Sequence, residues 1–382
     1  MLNSEIISLL TKLVSFKSVT PSGKDALLFI ADFLSPLGFE CIIKDFGPEG
    51  EVSNLYALRG KTKPNICFAG HVDVVPALNE DLWKFHPYSA TLHNEKIYGR
   101  GVVDMKGSIA CALIAVENFI NSGKNFDGSI SFLLTTDEEG DGTYGTQKML
   151  EYITKKGYAL DLCILGEPTS EEEIGDVIKI GRRGSVNFDL KMQGKQGHVA
   201  YPHKALNPIT AFGKFLQKLN SLKLDSGTEY FEPSNIEVTS VSTSAEVSNV
   251  IPQSVSAKFN IRFNHLHTPD ELKSIISGIL SEFSSDFVLS YKCSSLPFCQ
   301  EVSEEMLLAS KVISKICNTQ TRFDTNGGTS DARFIHKFAR VMEIGLKSDQ
   351  AHKINESCKI YDLQKIYDVY SELLVEFLYK NF

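Results

Sequence analysis

The sequence of 382 residues has no CxxC pair, no apolar run longer than eight residues and no excess of positive charge. Each absence excludes something. The longest apolar run, Ile109 to Val116, falls far short of the ~20 residues that span a bilayer. Lys and Arg number 39 against 47 Asp and Glu, a net charge of −8, whereas a protein that grips a nucleic-acid duplex is usually basic. Neither a membrane nor a nucleic acid is an expected partner. No basic stretch precedes an apolar core at the N-terminus, so no secretory signal is read there. Instead Ile6, Leu9, Leu10 and Leu13 recur at helical spacing. The eight cysteines, at 41, 67, 111, 163, 293, 299, 317 and 358, are scattered, several within apolar segments. Buried free thiols of that kind suit a reducing compartment, which predicts a cytoplasmic protein. At 42% hydrophobic and 23% charged, the composition is that of an ordinary globular protein, and the length predicts two domains or one large one.

The first ~180 residues alternate β-rich runs with helical patterns. Asn65-Ile-Cys-Phe, Ser129 to Thr136 and Asp161 to Leu165 read as buried strands, with helix-like stretches over Met105–Phe119 and Thr143–Ile153. The middle of the chain changes period. Val186, Phe188, Leu190 and Met192 alternate with polar residues, as do Ala257, Phe259, Ile261 and Phe263, which argues for antiparallel strands with one wet face. A helix follows with Thr268 as N-cap, Pro269 at N1 and Glu271 at N3. After it the α/β pattern resumes, with Val341 to Gly345 as a strand and Leu363, Ile366, Tyr367, Tyr370 and Leu374 marking a closing helix. The expected class is α/β: a mainly parallel sheet covered by helices, interrupted by a smaller α+β domain. The expected boundaries are 1–183 and 297–382 for the discontinuous domain and 184–296 for the insert.

Five segments place acidic residues and histidine at predicted strand ends. They are Gly70-His71-Val-Asp73, Gly99-Arg-Gly-Val-Val-Asp104-Met-Lys-Gly107, Asp137-Glu138-Glu139-Gly140, Gly166-Glu167-Pro168 and Ala351-His352-Lys353. Clustered carboxylates repel one another unless cations neutralise them, and a mixed imidazole and carboxylate set suits zinc, cobalt or manganese better than calcium. Taken singly each segment has a structural reading, a satisfied histidine or a solvated acidic turn; their combination points to a metal site. There are candidates for two ions sharing a bridging Asp.

Gly140-Asp-Gly142-Thr-Tyr-Gly145 matches the dinucleotide fingerprint GxGxxG between a strand and a helix. Against a nucleotide, Asp137, Glu138, Glu139 and Asp141 surround the loop with negative charge, and the unit comes third in the sheet where the fingerprint belongs to the first. No Gly-x-Ser-x-Gly elbow and no phosphate-binding Gly-x-x-x-x-Gly-Lys-Ser/Thr loop is present.

These segments, together with Gly181-Arg-Arg-Gly-Ser-Val-Asn-Phe188, Gly194-Lys-Gln-Gly-His198-Val-Ala-Tyr-Pro-His203, Ser248-Asn249-Val-Ile-Pro252 and Thr325-Asn-Gly-Gly-Thr-Ser-Asp331, resemble the zinc-dependent aminoacylase and carboxypeptidase family of amidohydrolases. The resemblance runs along essentially the whole chain. It implies a zinc-exopeptidase-like fold whose insert is a lid and dimerisation domain, and a homodimer. It implies two zinc ions per subunit, replaceable by cobalt or manganese: His71 and Glu167 on one, Glu139 and His352 on the other, Asp104 bridging. Asp73 is expected to orient His71 through its other ring nitrogen, and Glu138 to be the general base. His198 matches an oxyanion-stabilising histidine given across the dimer interface, with an ordinary loop histidine as the alternative. Arg182, Ser185, Asn249, Arg262, Gly328 and Thr329 match positions that hold substrate carboxylates and polar groups; Arg262 could equally be the wet face of a strand. Tyr201 and His203 are weaker candidates. The implied reaction is hydrolysis of an N-acyl diamino acid, N-succinyl-LL-2,6-diaminopimelate foremost, to succinate and LL-2,6-diaminopimelate. N-acetylornithine, other N-acylamino acids and dipeptides are alternative substrates, and a catalytically silent binding protein is the alternative outside enzymes. One stretch departs from the pattern: Lys347 and Asp349 are charged where small or amide residues are expected.

Overall fold

The structure is a computed structural model and describes residues 2–245 and 247–379. The chain forms two compact units. The first comprises the residues up to Ile180, Gln300–Asp324 and those from Ser330 onward. Its sheet has eight strands: β1 (Glu40–Phe46), β2 (Val52–Arg59), β3 (Asn65–His71), β4 (Ser129–Thr135), β5 (Leu162–Leu165), β6 (Val177–Lys179), β7 (Arg322–Asp324) and β8 (Arg340–Glu343). Their spatial order is β1-β2-β4-β3-β5-β8-β6-β7. The central four, β4-β3-β5-β8, run parallel. β3 and β4 are buried at every position, as strands covered on both faces must be. Helix Lys106–Asn121 lies almost wholly in the core and packs on the closing helix Ile360–Tyr379.

The parallel α/β core agrees with the expectation from sequence, and both of its edges add something. On one side β1 and β2 run antiparallel to their neighbours. β2 tolerates polar residues in buried positions because their side chains donate to partners: Ser53 Oγ to Asp45 Oδ1 at 2.6 Å, and Asn54 Nδ2 to the Tyr144 carbonyl at 3.1 Å. On the other side the three-residue strands β6 and β7 are too short to show any period.

The second unit is Gly181–Cys299 with Thr325–Thr329. Four antiparallel strands, in the order Asn235–Thr243, Ser254–Phe263, Gly184–Gln193 and Phe287–Ser295, carry helices Pro208–Asn220 and Pro269–Ser281. Period two produces the core directly: Phe188 and Phe259 are register partners with rings stacked 5.1 Å apart. Thr268 caps the second helix in a full capping box with Glu271. The unit is wider than 184–296 because Gly181–Arg182 pairs with Phe298–Cys299, and because Thr325 Oγ1 donates to the Tyr230 carbonyl at 2.6 Å.

All eight cysteines are free; Cys67, Cys111, Cys163 and Cys358 are buried and Cys299 is exposed. Among the described residues no helix is long and apolar enough to cross a membrane.

Candidate active site

The first unit gathers its acidic residues and histidines beyond the carboxyl ends of the parallel strands, where open α/β sheets bind their ligands. β3 ends on His71, the turn after β4 carries Glu138 and Glu139, Glu167 follows β5, and the loop after β8 carries His352. Asp104 lies just ahead of helix Lys106–Asn121.

His71 is buried and donates from Nδ1 to the Asp73 carbonyl at 2.9 Å, which turns Nε2 inward. Nε2 lies 3.2 Å from Asp104 Oδ1 and 3.7 Å from Glu167 Oε1. The other Asp104 oxygen, Oδ2, lies 3.1 Å from His352 Nε2, which is 2.8 Å from Glu139 Oε1. One carboxylate therefore stands between two imidazoles and offers an oxygen to each. Glu138 joins His71 and Glu167 in a cluster whose ligand atoms lie within 4.8 Å of one another, and Asp104 and Glu139 form a second such cluster with His71.

The charges conflict without a cation. Burial pushes Glu138 well above the ordinary carboxyl range, and Asp331, Glu139 and Asp104 push it further against the pull of His71. Burial does the same to Glu167, helped by Glu138 and Asp104. Burial opposes the charge on His71, yet Asp104 and Glu167 carry its pKa well above the usual imidazole value. Asp104 and Glu139 raise His352 to about 10. Burial also opposes the charge on Asp104, but His352 and His71 hold it below the usual range.

These residues fit a pair of divalent cations. Glu167 Oε1 is buried with no hydrogen-bond partner, an acceptor facing the cluster with nothing to accept from. Two ligand atoms each ~2.0–2.1 Å from one tetrahedral ion stand about 3.3 Å apart, close to the spacings around Asp104. Nitrogen and carboxylate oxygen together suit zinc-like ions rather than calcium.

The sequence profile described as Peptidase family M20/M25/M40 matches residues 67–376. The chain belongs to that family. It is 49% identical over 376 residues to a protein of Orientia tsutsugamushi (strain Ikeda) named succinyl-diaminopimelate desuccinylase, covering 98% of this chain and 97% of that one. Among solved structures, an M20 family metallo-carboxypeptidase from Sulfolobus solfataricus shares the fold at a TM-score of 0.75 and 18% identity, over 97% of this chain and 98% of that one. A dinuclear metal binding peptidase of the M20 family from Bacillus subtilis shares it at 0.71 and 14%, over 98% of each chain.

In this M20 chain the Asp73 carboxylate does not hydrogen-bond to His71 as expected. It lies 3.7 Å from Nδ1, and the bond goes to the Asp73 backbone carbonyl instead, because the chain turns back toward the ring. The carboxylate accepts from the N–H groups of Glu139 at 3.0 Å and Glu138 at 3.4 Å. Burial raises its pKa to about 6.

The loop that matches GxGxxG closes on its own acid. Asp137 Oδ2 accepts from the Tyr144 N–H at 3.0 Å, and a Cβ at Gly140 would meet Asp137 Oδ1 at 2.6 Å. A carboxylate thus occupies the cradle that a pyrophosphate needs. The charged departure before His352 is also accounted for. Lys347 bonds the Glu172 carbonyl and lies 3.9 Å from Glu173, while Asp349 accepts from Gln350 at 2.7 Å.

The expected substrate-binding residues all fall in the second unit of this M20 fold. Arg182 is buried and donates from Nη1 to the carbonyls of Asn326 and Gly328, both at 3.2 Å, which holds the loop bearing Gly328 and Thr329. Ser185 and Arg262 are register partners on adjacent strands; Arg262 has a buried Nη1 without a partner, and burial and Arg183 depress its pKa. His198 sits in a two-stranded ribbon opposite Val250, next to the exposed Asn249, whose carbonyl accepts from Val199 at 3.2 Å. Tyr201 stacks at a tilt on His198 with centroids 5.7 Å apart, and His203 meets the Tyr201 ring edge-on.

Three residues near the site received no role from sequence. Buried Asp331 accepts from Thr146 Oγ1 at 2.6 Å and bears on the charge of Glu138. Arg100 and Glu356 form a buried ion pair at 2.8 Å. Arg100 and Asp331 stand inside motifs noticed in the sequence and Glu356 lies three residues beyond another; nothing in their spacing separates them from the surrounding loop.

Proposed function

We propose that this chain hydrolyses the amide of N-succinyl-LL-2,6-diaminopimelate to succinate and LL-2,6-diaminopimelate. The observation that carries the reading is Asp104 shared between two imidazole and carboxylate clusters with Glu138 beside them. The relative named for that substrate matches along 98% of the chain, which supports the choice of acyl group. His71 and Glu167 would hold one cation and Glu139 and His352 the other, with Asp104 serving both. The cations would be zinc, with cobalt or manganese as substitutes, and when bound would lower the pKa of a water and polarise the amide carbonyl.

The chain's own groups do the rest. Glu138 takes a proton from the attacking water, its carboxylate standing beside His71 and Glu167 in the site. The water oxygen adds to the amide carbon, the C–N bond breaks, and Glu138 returns the proton to the departing amine. Glu138 and Glu139 are neighbours, so the turn must aim one at the water and the other at a cation; Asp73 holds both of their N–H groups. Arg182 and Arg262, with Ser185, Asn249, Gly328 and Thr329, hold the substrate's carboxylates and polar groups, arginine being apt because its fork matches a carboxylate. The enzyme works as a homodimer through its second unit, and His198 of the partner subunit stabilises the oxyanion. Eight free cysteines support placing it in the cytoplasm.

The test is hydrolysis of N-succinyl-LL-diaminopimelate by chelator-stripped protein, before and after titration with zinc, with N-acetylornithine alongside. Metal-dependent turnover of the succinyl substrate alone is expected. Turnover of acetylornithine instead overturns the substrate, and full activity in metal-free protein overturns the mechanism.

A further inference from the structure

Glu356 lies outside the ligand set and is fully buried. A carboxylate in that position needs donors, and it has four. Oε2 accepts from Arg100 Nη1 at 2.8 Å and the Gly101 N–H at 3.0 Å. Oε1 accepts from the N–H groups of Val103 at 2.9 Å and Asp104 at 3.2 Å. Every one of these donors belongs to the segment Arg100–Asp104, which precedes its helix without regular structure of its own. Glu356 itself ends the loop that carries His352. The same two segments are tied a second time, since the Gly99 N–H donates to the Glu356 carbonyl at 3.0 Å and Arg100 Nη2 lies 3.4 Å from the His352 carbonyl. His352 needs such restraint because its φ of 62° is left-handed, a conformation that a non-glycine residue keeps only where the surroundings impose it.

We propose that Glu356 is a positioning residue of the metal centre: it gathers the Arg100–Asp104 loop onto one carboxylate and fixes the bridging Asp104 relative to the loop of His352. The inference rests on the two-cation reading above. A bridging ligand serves both ions, so an error in its position weakens both, and such sites tolerate only ~0.5 Å of misplacement. Four bonds to one charged acceptor are stronger and shorter than the same loop would make to water or a neutral group.

The test titrates the full chain, stripped by chelator, with Co2+, following heat and visible absorption, which reports ligand geometry. In Glu356→Gln an amide NH2 replaces one acceptor oxygen, so two donors lose their partner. Circular dichroism close to wild type, Co2+ affinity lowered about 10–100-fold and altered visible bands are expected, the size typical when a ligand's support is removed. Glu356→Asp keeps both oxygens but retracts them by one methylene; its affinity should fall between, and it decides the matter if the glutamine variant does not fold. A folded variant that binds Co2+ as tightly as wild type, with unchanged bands, overturns the role of Glu356. A wild-type chain that binds no Co2+ overturns the two-cation reading and this role with it.

Discussion

Asp73 binds the backbone of Glu139 with its side chain and the ring of His71 with its backbone, at 3.0 and 2.9 Å. One buried residue thereby sets the tautomer of a histidine on one strand end and the aim of two glutamates on another. Asp73→Asn replaces one of two acceptor oxygens with a donor that faces either the Glu138 or the Glu139 N–H. Activity should fall about 10–100-fold with the fold retained, checked by steady-state kinetics and a thermal melt. Full activity would show that the turn holds itself.

Glu138 and Glu139 are adjacent in sequence and should fail differently. Glu138→Gln should keep its metal and lose about 10²–10⁴-fold in kcat, since it removes only the proton carrier. Glu139→Gln should instead lose metal, seen by elemental analysis after dialysis, and recover part of its activity in excess zinc. If both variants retain metal equally, the assignment of the two roles is wrong.

Without metal the site binds protons tightly. His352 is raised to about 10 by Asp104 and Glu139, Asp73 to about 6 by burial, and Glu138 and Glu167 move the same way. These groups hold more protons folded than unfolded over this range, so their share of the stability falls as pH rises, while buried Lys106, lowered to about 7, offsets part of that fall above pH 7. The His352 part is complete below an unfolded pKa of 6.5 and gone above about 10. Asp104, held low, acts oppositely, and only at acid pH. The Tm of chelator-stripped protein should therefore drop from about pH 6.5 to about pH 10. Metal ligation needs neutral imidazoles, so the loaded enzyme should gain stability from about pH 5 to 7 and lose activity below about pH 6. Melting curves for the two forms that shift in parallel with pH would contradict this.

Arg262 has a buried guanidinium nitrogen without a partner, on a half-buried side chain. Arg262→Lys keeps the charge and removes the fork. KM for the succinyl substrate should rise roughly tenfold or more while kcat moves by a few-fold, the pattern of lost binding to a carboxylate. An unchanged KM would return Arg262 to the role of a strand surface residue.

Much of this protein is legible in one dimension. Period two along Val186–Met192 and Ala257–Phe263 determined a two-faced antiparallel sheet, because side chains alternate whatever lies beyond. The apolar runs around Cys67 and Leu133 determined strands covered on both faces. The acidic and histidine motifs after those runs determined where a metal could sit, because charges at strand ends must be neutralised. Tertiary structure decided the remainder. Strands β6 and β7 are too short to have a period, and β2 hides Asn54, whose amide NH2 finds its acceptor only in the distant Tyr144 carbonyl. That Asp73 would turn its carbonyl to His71 and its carboxylate to Glu139 depends on how two loops meet. Glu356 looks like any loop acid until its four donors are seen, since the three backbone N–H groups and Arg100 that bind it lie some 250 positions away in the chain and are invisible to any local pattern.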